Sequence, residues 1–398
     1  MKRAFLLFLL PAIQAFGAWP NGYSYRLTEA INYTKVGTTD HTNYPATYIR
    51  TYAQLAHTTN GGYATNLNGY DIIITSDAAG STKLDHEIES YNNVTGAVVF
   101  HFREPSVSHT VNTTFYVFVG NSSVTTSQEV VTGVWNSNYK AVFHLPNGTT
   151  LTSLDSTQYN NDTAPGGVGP AAGSGKFDGG MVSVSGDDGL YKTTADAPTG
   201  TAVFTLSTWF KLSADATSSM GGWGGNAWNG ARANLVYINP NALYLETVNL
   251  TAGFAWTYNT DWHHFVIVHA SGTTVFEVLL YLDGVLKTRT LGTDGTFNLQ
   301  NAQLRIGDAP GTFDSGSETK GSLDEFRISD VARSADWVLA EFNNQSDPAT
   351  FFTSNGTFEE PATSSIKAVS TVPLAGIGKI AGELMTTHVK KVAGVANQ

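Results

Sequence analysis

Cysteine is absent from the 398-residue chain, which excludes a disulfide framework, a thiolate metal site and a thiol nucleophile. Charge is sparse as well. Only 14% of residues are charged, and 33 acidic against 22 basic residues leave a formal charge of -11 with a pI near 5.3. Such a chain has no basic footprint for a phosphate backbone, so nucleic acid is not an expected partner. No apolar run approaches the roughly 20 residues that a spanning helix needs, so no transmembrane segment is expected. Helical periodicity is scarce. Its clearest instance is 334–342, where Ser334 caps a turn that carries Ala335, Val338, Leu339 and Phe342 on one side.

What the sequence does have is 12% aromatic residues, 40 glycines and many short β-branched and aromatic runs. Phe115-Tyr116-Val117-Phe118-Val119 and Phe265-Val266-Ile267-Val268 are such runs, each flanked by polar or turn-forming residues. The length suits two domains, and the pattern reads as all-β: two β-sandwich domains and a short tail. Gly- and Asn-rich stretches at 163–175 and 221–230 are long enough to be functional loops. At the start, Lys2-Arg3 precede an apolar run over 4–10, with small residues at Ala15, Gly17 and Ala18. This is the three-part form of a secretory signal. Residues 1–17 are therefore expected to be a removable signal peptide, and the mature chain to be secreted or held at a cell surface, with a virion surface as the alternative.

Between 19 and 133, Tyr25-Arg26, Tyr44-Pro45, Gly69-Tyr70-Asp71-Ile72, Asp77, Gly80, Leu84, His86-Glu87-Ile88-Glu89-Ser90-Tyr91 and Val119-Gly120-Asn121 follow one another in order. This set resembles the family of extracellular β-domains known as DUF2341, which implies a small β-sandwich and no known chemistry. Phe118 and Val119 stand where that family usually has two tyrosines. Between 134 and 353 the signposts are Ala141-Val142-Phe143-His144-Leu145, Phe177-Asp178-Gly179, Phe204-Thr205-Leu206-Ser207-Thr208-Trp209-Phe210, Trp262-His263-His264-Phe265, Tyr281-Leu282-Asp283-Gly284 and Gly321-Ser322-Leu323-Asp324-Glu325-Phe326-Arg327. They resemble the laminin-G-like, concanavalin A-like lectin/glucanase jelly roll of the LamG_3 type. The resemblance implies a two-sheet sandwich that binds carbohydrate or a glycosylated surface receptor. It also implies Ca²⁺ at Asp178 and Asp324, the alternative being that Asp178 caps a Phe-Asp-Gly turn and Asp324 pairs with Arg327 or a backbone amide.

The chemistry-bearing residues favour binding over catalysis. His86-Glu87 lacks the second histidine of a His-Glu-x-x-His zinc helix. A glycosidase on this fold needs carboxylates facing one cleft, and Asp324-Glu325, adjacent on a strand, are expected to point to opposite faces. A glycoside hydrolase is therefore the second alternative to a recognition or adhesion protein, after a phage or virus tail component. The expected ligand contacts are Trp223, Asn226, Trp228 and Asn229, because a glycine-rich loop bearing two indoles and two amides can stack on a sugar ring and bond its hydroxyls. The opposite expectation is a loop that folds its own tryptophans into a minor core. His263 and His264 are expected to be structural. From 354 to 398 the chain turns small and Lys-bearing, with weak repeats at Ile366-Lys367-Ala368-Val369, Ile377-Gly378-Lys379-Ile380 and Val389-Lys390-Lys391-Val392, read as a disordered tail, an amphipathic helix, or a short β-repeat that attaches to an assembly partner.

Overall fold

The computed structural model describes residues 19–361 apart from 147–148, 167, 184–188, 226–231, 239–240, 248–249, 297 and 311–317. The expected signal peptide and the repeats of the tail lie outside the described residues. Among the described residues, strands outweigh helices by 46% to 10%, as the all-β expectation requires. No helix among them is long and apolar enough to cross a membrane.

The first sandwich is built from β1 (Tyr25–Ile31), β2 (His41–Thr51), β3 (Ile72–Thr75), β4 (His86–Asn92), β5 (Ala97–Val107) and β6 (Thr113–Val119). β2, β5 and β4 form one antiparallel sheet, while β1, β6 and β3 belong to the other. Period-two alternation drives one face of each inward. Leu27, Ile31, Ile74, Phe115 and Val117 meet Tyr44, Tyr48, Phe100 and Phe102 in one buried cluster. The fourth strand of the β1 sheet comes from the other end of the chain: Phe352–Glu359 pairs antiparallel with β1, from Ile31 against Phe352 to Arg26 against Glu359. The expected boundary between 353 and 354 thus cuts through a strand of the first sandwich, and the jelly roll is an insertion within it. The strand escaped the sequence pattern because only Phe352 and Phe358 in it are apolar and because it bulges at Asn355-Gly356, with Gly356 at φ +67°.

The jelly roll begins at β7 (Tyr139–Phe143) and packs two eight-stranded sheets. In the near sheet, which faces the first sandwich, Phe204–Leu212 lies between His263–His269 and Gly321–Ser329, and β7 also pairs with Gly321–Ser329. In the far sheet, Ser218–Gly224 lies between Arg232–Ile238 and Gln303–Ile306, with Ala242–Glu246 and Leu190–Thr193 beyond them. The core between the sheets is apolar and includes Phe204, Phe210, Trp223, Leu235, Phe254, Phe265, Leu304, Phe326 and Ile328.

The helix Ala335–Ser346 starts at the expected cap, where Ser334 accepts the amide of Trp337 at 3.1 Å. Its buried face differs from the expected one: Trp337, Val338, Ala340, Glu341, Asn344 and Gln345 are buried, whereas Ala335 is exposed. The helix is a wedge, so it buries residues toward both domains. Trp337 and Ala340 join the first sandwich's core, while Val338 packs on Val266, Val268 and Tyr281 of the near sheet. Asn344 exchanges two hydrogen bonds with the backbone of Thr47, at 2.7 and 2.8 Å, and Gln345 accepts the Trp209 indole at 2.6 Å.

Candidate functional site

Where the two sandwiches meet, titratable side chains converge from three strands and from the residue that follows β7. On β5, Phe100 and Phe102 point into the core, so His101 between them points to the opposite face. On β4, Ile88 pairs with Phe100 and Ser90 with Val99, which leaves Glu89 as the extra residue of a bulge. The bulge brings the Glu89 carboxylate to within 2.7 Å of His101 Nε2. From the jelly roll, Ala141, Phe143 and Leu145 enter the core, and the intervening His144 faces the seam.

The strand Gly321–Ser329 corrects an expectation. Leu323, Phe326 and Ile328 all enter the core, although a regular strand would not send residues three apart to the same face. A bulge makes up the step: Asp324 pairs with Trp209 and Arg327 with Ser207, and Glu325 sits between them at φ +53°. Asp324 and Glu325 therefore share the seam side rather than facing opposite ways. They are buried, at 0% and 1% exposure.

His144 is the hub of this cluster. Its Nδ1 lies 2.7 Å from Glu325 and its Nε2 3.3 Å from Glu87, and its ring stacks on that of His101 at 4.1 Å between centroids. Burial opposes its charge, yet Glu325 and Glu87 hold the imidazole well above its usual range, as a cation. Burial likewise opposes ionisation of Glu87, but the His144 charge prevails and brings it down to about 2. Glu87 also accepts the Trp135 indole at 2.6 Å and the Ser156 hydroxyl at 2.7 Å. Glu325 is lowered, against the cost of burial, by His144 and Arg327. Arg327 bonds both Glu325 and Glu341, the latter at 2.6 Å.

The second histidine behaves differently. Burial, then the neighbouring His144 charge, lowers His101 to about 3, so it is neutral. Glu89 is raised well above the usual carboxylate range by burial and by Glu325, with Asp324 and Asp178 adding to the effect. Burial thus disfavours the charged form of both partners in the 2.7 Å Glu89–His101 contact.

The residues expected from sequence fall in two places. Asp178 and Asp324 lie beside the seam cluster, where both act on Glu89. The Asp324 carboxylate accepts the amides of Lys176 at 2.6 Å and Glu325 at 2.8 Å, which closes the turn before Gly179–Val182. Trp223 is the other case. It lies inside a strand of the far sheet, 0% exposed, donating its indole N–H to Pro198 at 2.8 Å and meeting Phe204 edge-on. The glycines around it serve the strand rather than a loop: a Cβ at Gly222 would sit 1.8 Å from the carbonyl oxygen of Ala233. Trp223 is core, and it has no exposed ring for a ligand. Asn226, Trp228 and Asn229 lie outside the described residues, within the hairpin that joins Gly224 to its partner Arg232.

The flanking strands Ser218–Gly224 and Arg232–Ile238 carry polar side chains on the sheet face away from the core. Leu235, Leu245, Leu304 and Leu190 face the core, so their neighbours lie on the other face of the sheet, where Glu246, Asn234, Gly222, Arg305 and Tyr191 stand in one row across five strands, Asn234 and Arg305 being buried there. Arg232 pairs with Glu246 at 2.7 Å, Arg305 with Asp308 at 2.7 Å, and Ser219 bonds Asn234 at 2.7 Å. Tyr191, Arg232, Tyr244 and Glu246 are half-buried on this face. Sequence reasoning missed both this row and the seam histidines. The available signal was a polar residue at an alternating position inside an apolar strand, as with His101 between Phe100 and Phe102.

A family model described as the concanavalin A-like lectin/glucanases superfamily matches residues 185–339, less than half of the chain, and this region is a concanavalin A-like domain. No curated protein matches the chain. Similar solved structures include the binding domain of Paraclostridial Mosquitocidal Protein 1, at 12% identity over 52% of either chain with a TM-score of 0.39. Another is the ligand binding domain of botulinum neurotoxin serotype D in complex with N-acetylneuraminic acid, at 15% identity over 52% of this chain and 51% of that one, TM-score 0.39. A third is domain 4 of AbnA, a GH43 extracellular arabinanase from Geobacillus stearothermophilus, in complex with arabinotriose, at 18% identity over 52% of this chain and 98% of that one, TM-score 0.37. The match spans about half the length of the mosquitocidal binding domain's chain.

Proposed function

We propose that the protein is an exported recognition or adhesion protein whose jelly roll binds carbohydrate, free or on a glycosylated receptor. The observation that carries this reading is the lectin/glucanase family match over 185–339, which encloses both the hairpin with Asn226, Trp228 and Asn229 and the polar face at its base. A sugar needs an apolar ring to stack on and fixed amides, acids or guanidinium groups to orient its hydroxyls. Trp228 and the half-buried Tyr244 and Tyr191 supply rings, while Asn226, Asn229, Arg232 and Glu246 supply the polar groups. Trp223 supports the strand from which the hairpin rises. The first sandwich, joined to the jelly roll by the helix wedge and by Phe352–Glu359, is the platform.

Export rests on the signal-like residues 1–17, and N-terminal sequencing of protein recovered outside the cytoplasm tests it. Calcium at Asp178 and Asp324 belongs to the same proposal, supported by the turn over Lys176–Asp178 that the Asp324 carboxylate closes; a melting curve that Ca²⁺ raises in chelator-treated protein is the expected result. The test of the function itself is a glycan array probed with the purified mature chain. Selective retention of one class of glycan is expected, and an array without signal at micromolar protein overturns the reading.

A further inference from the structure

The seam cluster has a donor geometry that pairing alone does not require. Donor atoms, one each from Glu89, His101, His144 and Glu325, all lie within 4.8 Å of one another, with His101 Nε2 2.7 Å from Glu89 and His144 Nδ1 2.7 Å from Glu325. Two come from the first sandwich and two from the jelly roll. Each imidazole turns one nitrogen into the cluster and has its other nitrogen placed from outside. His101 Nδ1 lies 3.2 Å from the Thr47 hydroxyl, and His144 Nε2 lies 3.3 Å from Glu87, itself fixed by Trp135 and Ser156. Glu325 is held by Arg327. Outer partners of this kind set the tautomer and orientation of metal-ligating histidines.

A separate observation points the same way. Glu89 has a side chain with 0% exposure, yet its Oε1 has no hydrogen-bond partner. An orphaned acceptor at such depth costs about 1–3 kcal/mol unless something satisfies it, and a cation drawn into the cluster would do so through bidentate or bridging coordination.

We propose that Glu89, His101, His144 and Glu325 bind one first-row divalent transition cation of the zinc class, clamped between the two sandwiches. The donor set decides the class. Two imidazole nitrogens and two carboxylate oxygens suit zinc and its neighbours, whereas calcium takes six to eight oxygens. Two carboxylates neutralise the dication, and Arg327 remains balanced by Glu341. Metal–ligand bonds of about 2.0–2.2 Å place donors more than 3 Å apart. The two 2.7 Å histidine–glutamate contacts therefore open by about half an ångström or more as coordination replaces hydrogen bonding and the protons held in them are released to solvent. Because the ligands come from both domains, the ion fixes the orientation of the jelly roll on its platform.

The test uses the full chain stripped with a chelator and titrated with Zn²⁺ and Co²⁺. One equivalent of either is expected to bind and to raise the melting temperature by several degrees. Bound Co²⁺ should show the visible absorption of a four- or five-coordinate site, and X-ray absorption of the zinc-loaded chain should show two imidazoles. Glu89→Gln and His101→Gln should each weaken binding at least tenfold. If either variant fails to fold, the imidazole count in the unaltered chain decides the matter alone. Folded, stripped protein that binds no equivalent of Zn²⁺ or Co²⁺, or binds one without imidazole ligands, overturns the proposal and leaves the cluster a hydrogen-bonded seam. Neither outcome depends on whether the jelly roll binds sugar.

Discussion

Between the two sheets of the jelly roll, Phe204, Trp223, Phe254, Leu304 and Phe326 meet as an apolar core, whereas between the jelly roll and the first sandwich the side chains that meet include, beside the Val338 contacts, the ionisable Glu87, Glu89, His101, His144, Glu325, Arg327 and Glu341. Both places are withdrawn from water, but they do different work. Apolar burial is non-directional, and any sequence of about the right volume obtains most of it. Buried charge is costly unless every partner is in place, so it contributes little net stability and tolerates few alternative geometries. The core accounts for the existence of a jelly roll. The seam accounts for a single orientation of the jelly roll on its platform and for a cluster of donors at the junction.

Substitutions sharpen this contrast. The largest loss is expected from Trp223→Ala, which leaves a large cavity in the core and strands the Pro198 carbonyl; a drop toward the upper end of ~3–5 kcal/mol is expected in denaturant unfolding. If Trp223 were instead a ligand-stacking residue, stability would hold and only binding would fall. Arg327→Met, which leaves Glu341 buried without its cation and Glu325 with His144 alone, should cost about 3 kcal/mol. Adding Glu325→Gln and Glu341→Gln to that variant should restore much of the loss, because the uncompensated charges go with the arginine. Recovery by the triple variant separates a charged seam from a merely well-packed one, since three substitutions in an apolar core would add their losses.

A pH-dependent test concerns Glu104, which is 6% exposed near the end of β5 and has one carboxylate oxygen without a partner. Burial raises it from 4.5 to about 7. With a raised folded pKa, its contribution is fully present below pH ~4.5 and is lost as pH rises through about 7. Relative to the wild type, Glu104→Gln should therefore gain stability between pH 5 and pH 8, by at most about 3 kcal/mol. A difference that stays flat across that range would mean that this carboxyl is solvated.

The jelly roll was legible in the sequence because its strands alternate cleanly around Asp-Gly and Gly turns, and the helix start was legible because Ser334 is a cap. What escaped has a common physical cause. Phe352–Glu359 is a bulged edge strand with two apolar residues. Glu89 and Glu325 sit on bulges, which break the period-two rule that had assigned Asp324 and Glu325 to opposite faces. The helix was assigned an apolar face because nothing local reveals that Glu341, Asn344 and Gln345 meet polar partners from two domains. Trp223 and Trp228 stand five residues apart in one glycine-rich stretch, yet a strand ends between them, and composition does not mark that end.

The central claim is that recognition resides on the hairpin of the far sheet and that the seam serves only to hold the jelly roll in place. The most direct measurement is a calorimetric titration of the glycan class found on the array into three proteins: the unaltered chain, Trp228→Ala and Glu89→Gln. Trp228→Ala is expected to lose on the order of 1–3 kcal/mol of affinity with an unchanged melting temperature, while Glu89→Gln keeps its affinity. Affinity that survives Trp228→Ala but falls with Glu89→Gln would contradict the account and move the site to the junction between the sandwiches.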